Sequence, residues 1–224
     1  MSDTTFIVAG TDTGVGKTVF SAMLALALDG CYWKPTQSGT EDDTDTQRVQ
    51  KMTGLPAERF YPERYVFTQP LSPHRAAELD HRTISPEAIG FPPNSDRPLV
   101  IELAGGLMVP LTRDWLQIEL LEKWRLPVVL VARTMLGTIN HTLLSCEALR
   151  SRAIPLLGVA FVGDANEDSE GTIVDFAGTR RLGRLPRLKT LDAVSLKLAF
   201  TKNFSRQDFT LTLPSPKEGE GVLL

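Results

Sequence analysis

Cysteine is almost missing from this chain. Cys31 and Cys146 are the only two among 224 residues, they form no CxxC pair, and no histidine stands near either at ligand spacing. That scarcity argues against a disulfide framework or a zinc site and fits a reducing compartment. An excess of charge of one sign is missing too: 24 Lys and Arg against 27 Asp and Glu give a formal net charge of −3. No global electrostatic footprint for nucleic acid or anionic lipid is present, although a local phosphate site built from a few donors stays open. Long apolar runs are lacking as well. The stretch AMLALAL (22–28) is far short of the roughly 20 residues that span a bilayer. The opening MSDTTFIVAG has neither a basic region nor a long apolar core of the signal-peptide kind. The expectation is a cytoplasmic protein with no membrane and no nucleic-acid partner.

What is present is a regular alternation. Residues 5–10, 97–103, 127–132 and 156–162 are bounded apolar runs of buried-strand length, rich in Val and Ile. Between them, 17–29, 115–125, 137–152 and 166–177 carry helical periodicity. Continuous rather than alternating hydrophobicity in the strands implies burial on both faces. The predicted fold class is therefore α/β, a three-layer domain with a mostly parallel, doubly wound sheet flanked by helices. Residues 54–96 hold seven of the 15 prolines and read as loops and short helices over the carboxyl edge of the sheet. A single domain is expected over 1–205, with 206–224 as a disordered tail. A sheet-completing terminal strand within 210–224 is the competing expectation for that end.

Residues 10–18 read GTDTGVGKT, after an apolar strand and before a helix. Such a loop turns successive backbone N–H groups toward a polyphosphate, and the helix N-terminus adds partial positive charge. Asp12, Thr13, Gly14, Val15 and Gly16 would line it, Lys17 would reach the β- and γ-phosphates, and the Thr18 hydroxyl would ligate Mg²⁺. The usual spacing GxxxxGK[ST] asks for glycine at position 11, where this chain has Thr11 and carries the glycine at Gly10. Two acids suit the same ion. Glu102 ends the strand LVIE, and Asp45 closes the acidic run EDDTD, which by itself reads equally as a solvated charge cluster.

At this point the sequence resembles the dethiobiotin synthetase family. The likeness is carried by GTDTGVGKT (10–18), YWKPTQSG (32–39), SPH (72–74), IELAGG (101–106), VPL (109–111) and LGTINH (136–141), with weaker echoes in GVAFVGD (158–164) and LGRLP (182–186). It implies a homodimeric, ATP-dependent cyclo-ligase with Mg²⁺ as cofactor. Carbon dioxide would form a carbamate on 7,8-diaminopelargonate, ATP would phosphorylate it, and the second amine would close the ureido ring. The resemblance implies catalytic roles for Lys17, Lys34 and Thr13, and a metal site at Thr18, Asp45 and Glu102. It implies further nucleotide contacts from Val19, Gly163, Asp164 and Pro186. Diamine contacts are implied from Lys34 and Ser38, and from Gly137, Thr138, Ile139 and Asn140 of a neighbouring subunit, with the distal carboxylate resting on that helix N-terminus. His141 reads as an ordinary interface residue and His74 as a residue that shapes its loop.

Departures accompany the likeness. Leu103 follows Glu102 where the family usually has glycine, which predicts a loop less free to approach phosphate. At Val162, in FVGD, the asparagine that commonly reads adenine is missing, which predicts acceptance of other triphosphates. The segment before Lys34 is short, which predicts a brief second strand. The rival readings are a switch-type ATPase of the partition kind and a non-catalytic nucleotide-binding regulator. The former carries a second lysine where this chain has Asp12.

Overall fold

The computed structural model describes residues 4–209. In chain order these form β1 (Thr5–Gly10), α1 (Lys17–Leu28), β2 (Cys31–Trp33), β3 (Thr36–Ser38), α2 (Asp45–Thr53), β4 (Phe60–Tyr61), β5 (Tyr65–Phe67), α3 (Pro73–Leu79) and α4 (Pro86–Ile89). There follow β6 (Leu99–Gly106), α5 (Gln117–Trp124), β7 (Val128–Arg133), α6 (Thr138–Arg150), β8 (Leu156–Val162), α7 (Glu167–Ala177), β9 (Arg181–Leu185) and α8 (Ala193–Asn203). Seven strands make one sheet in the order β4-β2-β6-β1-β7-β8-β9, and β3 pairs with β5 in a small separate sheet. Every pairing between named strands is parallel.

Strand β1 shows why the sheet is covered on both faces. Phe6 and Val8 pack into a core shared with Phe20, Met23 and Leu24 of α1 and with Leu196 and Phe200 of α8. Ile7 and Ala9 point the other way, into a core with Ile118 and Leu121 of α5, Cys146 and Leu149 of α6, and Ile173 of α7. Side chains alternate along a strand, so a run apolar at every position can be buried only between two helical layers. The three-layer expectation is met, and β2 is brief as expected, at three residues.

Topology fixes where a ligand would sit. Strand order reverses at β1, which lies between β6 and β7, and such switch points open a crevice at the carboxyl ends of the strands. Gly10 ends β1 there, whereas Glu102, expected to end its strand, is followed by four more residues of β6 and stands in register with Val8. The acidic run expected in a flexible segment leads instead into a helix: Thr44 caps α2 reciprocally with Gln47, which makes Asp45 its first residue.

The packed body runs past the boundary expected after residue 205. Residues Arg206–Phe209 form a 3₁₀ turn, and Phe209 is fully buried against Phe6, Phe200 and Phe204 at ring separations of 6.0–6.5 Å. Arg180 pairs with Asp208 and ties the turn to the approach to β9. The two expectations for 210–224, tail or terminal strand, lie outside the described residues. Among the described residues no helix is long and apolar enough to cross a membrane.

Candidate functional site

The phosphate loop is shaped by two glycines in left-handed conformation, Gly14 (φ 71°) and Gly16 (φ 99°). Gly16 caps α1 without any side-chain hydrogen bond, so no side chain takes the helix's first N–H groups and they are free for an anion. A Cβ at Gly16 would also come within 2.7 Å of Val162 Cγ1. Lys17 curls back and donates to the Asp12 carbonyl at 2.9 Å. A Cβ at position 10 would come within 2.8 Å of the Lys17 Nζ and 2.9 Å of the Asp12 carbonyl oxygen, a close approach that Gly10 permits. Burial is the main force on this lysine and brings its pKa down to about 8, with Lys34 adding repulsion and Glu102 and Asp45 opposing both. Val15 is buried in the core and Val19 packs against it, partly exposed.

Behind the loop lies a compact charged cluster. Lys34 follows β2, is 3% exposed, and reaches Asp45 Oδ2 at 2.6 Å and Glu102 Oε1 at 3.3 Å. The Thr18 hydroxyl lies 3.1 Å from Asp45 Oδ1 and 2.8 Å from Glu102 Oε1. Tyr32 donates to the other Glu102 oxygen at 3.0 Å. Burial alone would lower the pKa of Lys34, but the carboxylates of Glu102 and Asp45 outweigh it and hold it above its ordinary value. The same pairing holds Asp45 below the ordinary carboxylate range, although burial pushes the other way. The structure thus brings together Thr18, Asp45 and Glu102, the three side chains named from the sequence as metal ligands. Two carboxylates and a hydroxyl form a small, hard, all-oxygen donor set, which suits Mg²⁺ completed by water and phosphate oxygens.

The cluster opens on a cleft of about 430 Å³ lined by Thr13, Lys34, Ser38, Pro70, Gly105 and Val109, among others. Ser38 Oγ is buried at its edge with no hydrogen-bond partner among the described residues, an arrangement that a ligand group would relieve. His74 stands in the first turn of α3, where its Nδ1 lies 3.0 Å from Oγ of Ser72, the residue before that helix. The start of α6 is elsewhere. Gly137 (φ 91°) caps it, the Thr138 hydroxyl donates to the Arg133 carbonyl at 2.5 Å, Ile139 packs on the core and Asn140 is exposed; none of the four lines this cleft. Gly163 (φ 134°), Asp164 and Pro186 sit at the ends of β8 and β9, where Asp164 is 3.4 Å from Arg187.

A family model described as an AAA domain matches residues 4–195. The ATP-dependent dethiobiotin synthetase BioD of Rhodopseudomonas palustris (strain TIE-1) is 60% identical over 203 residues, 91% of this chain and 95% of its own. The protein of the same name from Nitrobacter hamburgensis is 56% identical over 206 residues, 92% and 97% of the two chains. The chain belongs to the dethiobiotin synthetase family. Among solved structures, the septum site-determining protein MinD with Mg-ADP from Pyrococcus horikoshii aligns with 88% of this chain and 94% of its own, at 13% identity and a TM-score of 0.49.

Against relatives of that identity the switch-type reading is not favoured, and Asp12 has its own local use here. Its carboxylate accepts the Thr13 amide at 2.7 Å and pairs with Arg133 at 2.6 Å, pinning the loop to the end of β7. Leu103 is buried in the core beneath Glu102, so strand alternation turns its side chain away from the cluster. The residues that sequence reasoning passed over in this synthetase are Tyr32, Gln37 and Arg133. Gln37 accepts the Asp45 amide at 3.2 Å and donates to the Ser38 and Gly39 carbonyls. Tyr32 and Gln37 lie inside the YWKPTQSG segment, but Tyr32 pairs with Glu102 from a distant strand, and Gln37 serves backbone groups of its own loop and of the start of α2 that a residue pattern does not mark.

Proposed function

We propose that the chain is an ATP-dependent dethiobiotin synthetase whose reaction runs in the cleft between the phosphate loop and Lys34. An amine of 7,8-diaminopelargonate takes up carbon dioxide and loses a proton, giving a carbamate. A carbamate oxygen attacks the γ-phosphorus of ATP and ADP leaves. The second amine then attacks the carbonyl carbon of the mixed anhydride, expels phosphate and closes the ureido ring. Every intermediate is anionic, so the protein's task is to gather positive charge and donors around them. Lys17 holds the β- and γ-phosphates, and Lys34 bridges carbamate and γ-phosphate. Thr13 and the loop amides orient phosphate oxygens, and Ser38 offers its unpartnered hydroxyl to the diamine end. Mg²⁺, held by Thr18, Asp45 and Glu102, would neutralise charge on the phosphate oxygens. The observation that carries this reading is the buried Lys34 between two carboxylates at the mouth of the cleft. Its pairs with Asp45 and Glu102 keep the ammonium charge poised beside the cleft, where the reacting anions would meet it.

The proposal includes a homodimer in the cytoplasm. Met108, Leu136 and Leu144 are 50%, 105% and 62% exposed, and Met108 and Leu144 flank a depression that also contains Thr11 and Thr13. A second copy covering that apolar strip would bring its own Gly137–Asn140 to the diamine's distal carboxylate. The base is held at Val162–Asp164 and Pro186 without a reading asparagine, so triphosphates other than ATP are accepted.

The test is ADP release by the purified protein with Mg-ATP and bicarbonate, with and without 7,8-diaminopelargonate, while dethiobiotin is followed by mass spectrometry. Diamine-dependent ADP matched by dethiobiotin supports the reading. Nucleotide binding without diamine-dependent turnover overturns it in favour of a regulator.

A further inference from the structure

The first residue of α5 performs a service for β6 that neither sequence motif nor family likeness assigns. Gln117 is 2% exposed, and its backbone N–H donates to the Val109 carbonyl at 2.8 Å. Its side chain is committed entirely to β6: Oε1 accepts from Ala104 N at 3.1 Å, and Nε2 donates to Ala104 O at 2.8 Å and Gly106 O at 3.0 Å. Both amide hydrogens are in use, and the oxygen must face the Ala104 N–H, so the amide has one orientation.

The strand needs this partner because β2 has ended. Trp33, the last residue of β2, pairs with Ile101, and β6 runs on to Gly106 without it. Gln117 supplies a peptide-like group beyond that point. The stretch it holds is the wall of the cleft. Ala104, Gly105 and Val109 line it, Glu102 lies just upstream, and a Cβ on Gly105 would stand 3.2 Å from Thr13 Oγ1. The helix start itself does not use this side chain, since Glu119 Oε1 accepts the Leu116 amide at 2.9 Å instead.

We infer that Gln117 is a positioning residue that sets the cleft wall between Glu102 and Thr13 for the diamine, an inference that rests on the synthetase reading. Gln117 touches no reactant, and its effect passes through the backbone of 104–109. Burying a primary amide costs free energy unless its groups are paired, and here each pairing falls on that one segment.

The experiment compares wild type with Gln117→Met, which keeps volume and removes the hydrogen bonds, and with Ile118→Val, a core change in the same helix. Nucleotide affinity, read with a fluorescent ATP analogue, is expected to stay within about threefold in all three, with kcat/KM for the diamine falling on the order of a hundredfold only in Gln117→Met. KM for ATP is expected to hold while KM for the diamine rises. Gln117→Asn, a methylene too short to reach, is expected to give a milder version of the same split and covers the case in which the Met variant does not fold. An active wild type with unchanged diamine kinetics in the variants overturns the inference. So does a parallel loss in ATP and diamine parameters that matches Ile118→Val. A wild type without diamine turnover instead overturns the synthetase reading itself.

Discussion

Lys34 and Asp45 are joined across 2.6 Å, and the same ammonium lies 3.3 Å from Glu102. In this state the lysine neutralises the two carboxylates that a divalent cation would otherwise neutralise. Cation binding and the Lys34 pairs therefore compete for the same oxygens. A cation that took Asp45 and Glu102 would leave the ammonium without these partners.

Replacing Lys34 with Met should leave the two acids uncompensated. Removing one partner of a buried pair costs about 3–5 kcal/mol, and the 21% exposure of the Asp45 side chain puts this case at the lower end. Thermal unfolding with and without Mg²⁺ checks it. The variant should melt lower than wild type in chelator and recover more on adding Mg²⁺. An equal Mg²⁺ shift in both proteins contradicts the competition.

Lys17 should make nucleotide affinity depend on pH. Its pKa is about 8 in the free protein, and bound phosphates favour the charged form, so the complex carries it higher. Below that value the proton is already in place and affinity is flat. Above it, binding must take up a proton and affinity should weaken with rising pH. Calorimetry in buffers of different ionisation enthalpy should find no proton uptake from this group at neutral pH and about one proton well above 8. Affinity unchanged through that range contradicts the assignment.

Gly16→Ala should weaken nucleotide binding by two routes. The left-handed backbone at φ 99° costs about 1–2 kcal/mol for any residue with a Cβ. The new methyl would also meet Val162 Cγ1 at 2.7 Å. Adding Val162→Ala removes the second contribution only, so the double variant should recover part of the affinity and not all of it. No recovery would show that Val162 does not press on the loop.

Phe209→Ala should destabilise the fold although it lies at the end of the described chain. The ring is fully buried among Phe6, Phe200 and Phe204, and such truncations cost about 3–5 kcal/mol. A urea-unfolding midpoint close to wild type would contradict the packing described.

The strands β1, β6, β7 and β8 were legible because burial on both faces leaves continuous apolar runs, and the phosphate loop because its glycines and lysine are close in sequence. β9 was harder to see, since RLGRL interrupts its apolar residues with arginines that pair with the buried Glu170. α2 was hidden by its acidic approach, and the 3₁₀ turn at Arg206–Phe209 by the brevity of its apolar content. At the site, Lys34, Asp45 and Glu102 came from motif and strand-end logic. Tyr32 and Arg133 did not, because each acts through a partner far away in the sequence, and Gln37 and Gln117 did not, because their partners are backbone groups that only the folded loop and strand bring into reach.

The most direct measurement of the central claim uses Lys34→Ala beside wild type, with nucleotide affinity and diamine-dependent dethiobiotin formation determined on the same preparations. Nucleotide affinity should change little while turnover falls on the order of 10²–10³-fold, the loss expected when a preorganised charge at the reacting groups is removed. Turnover close to wild type in Lys34→Ala would contradict the account.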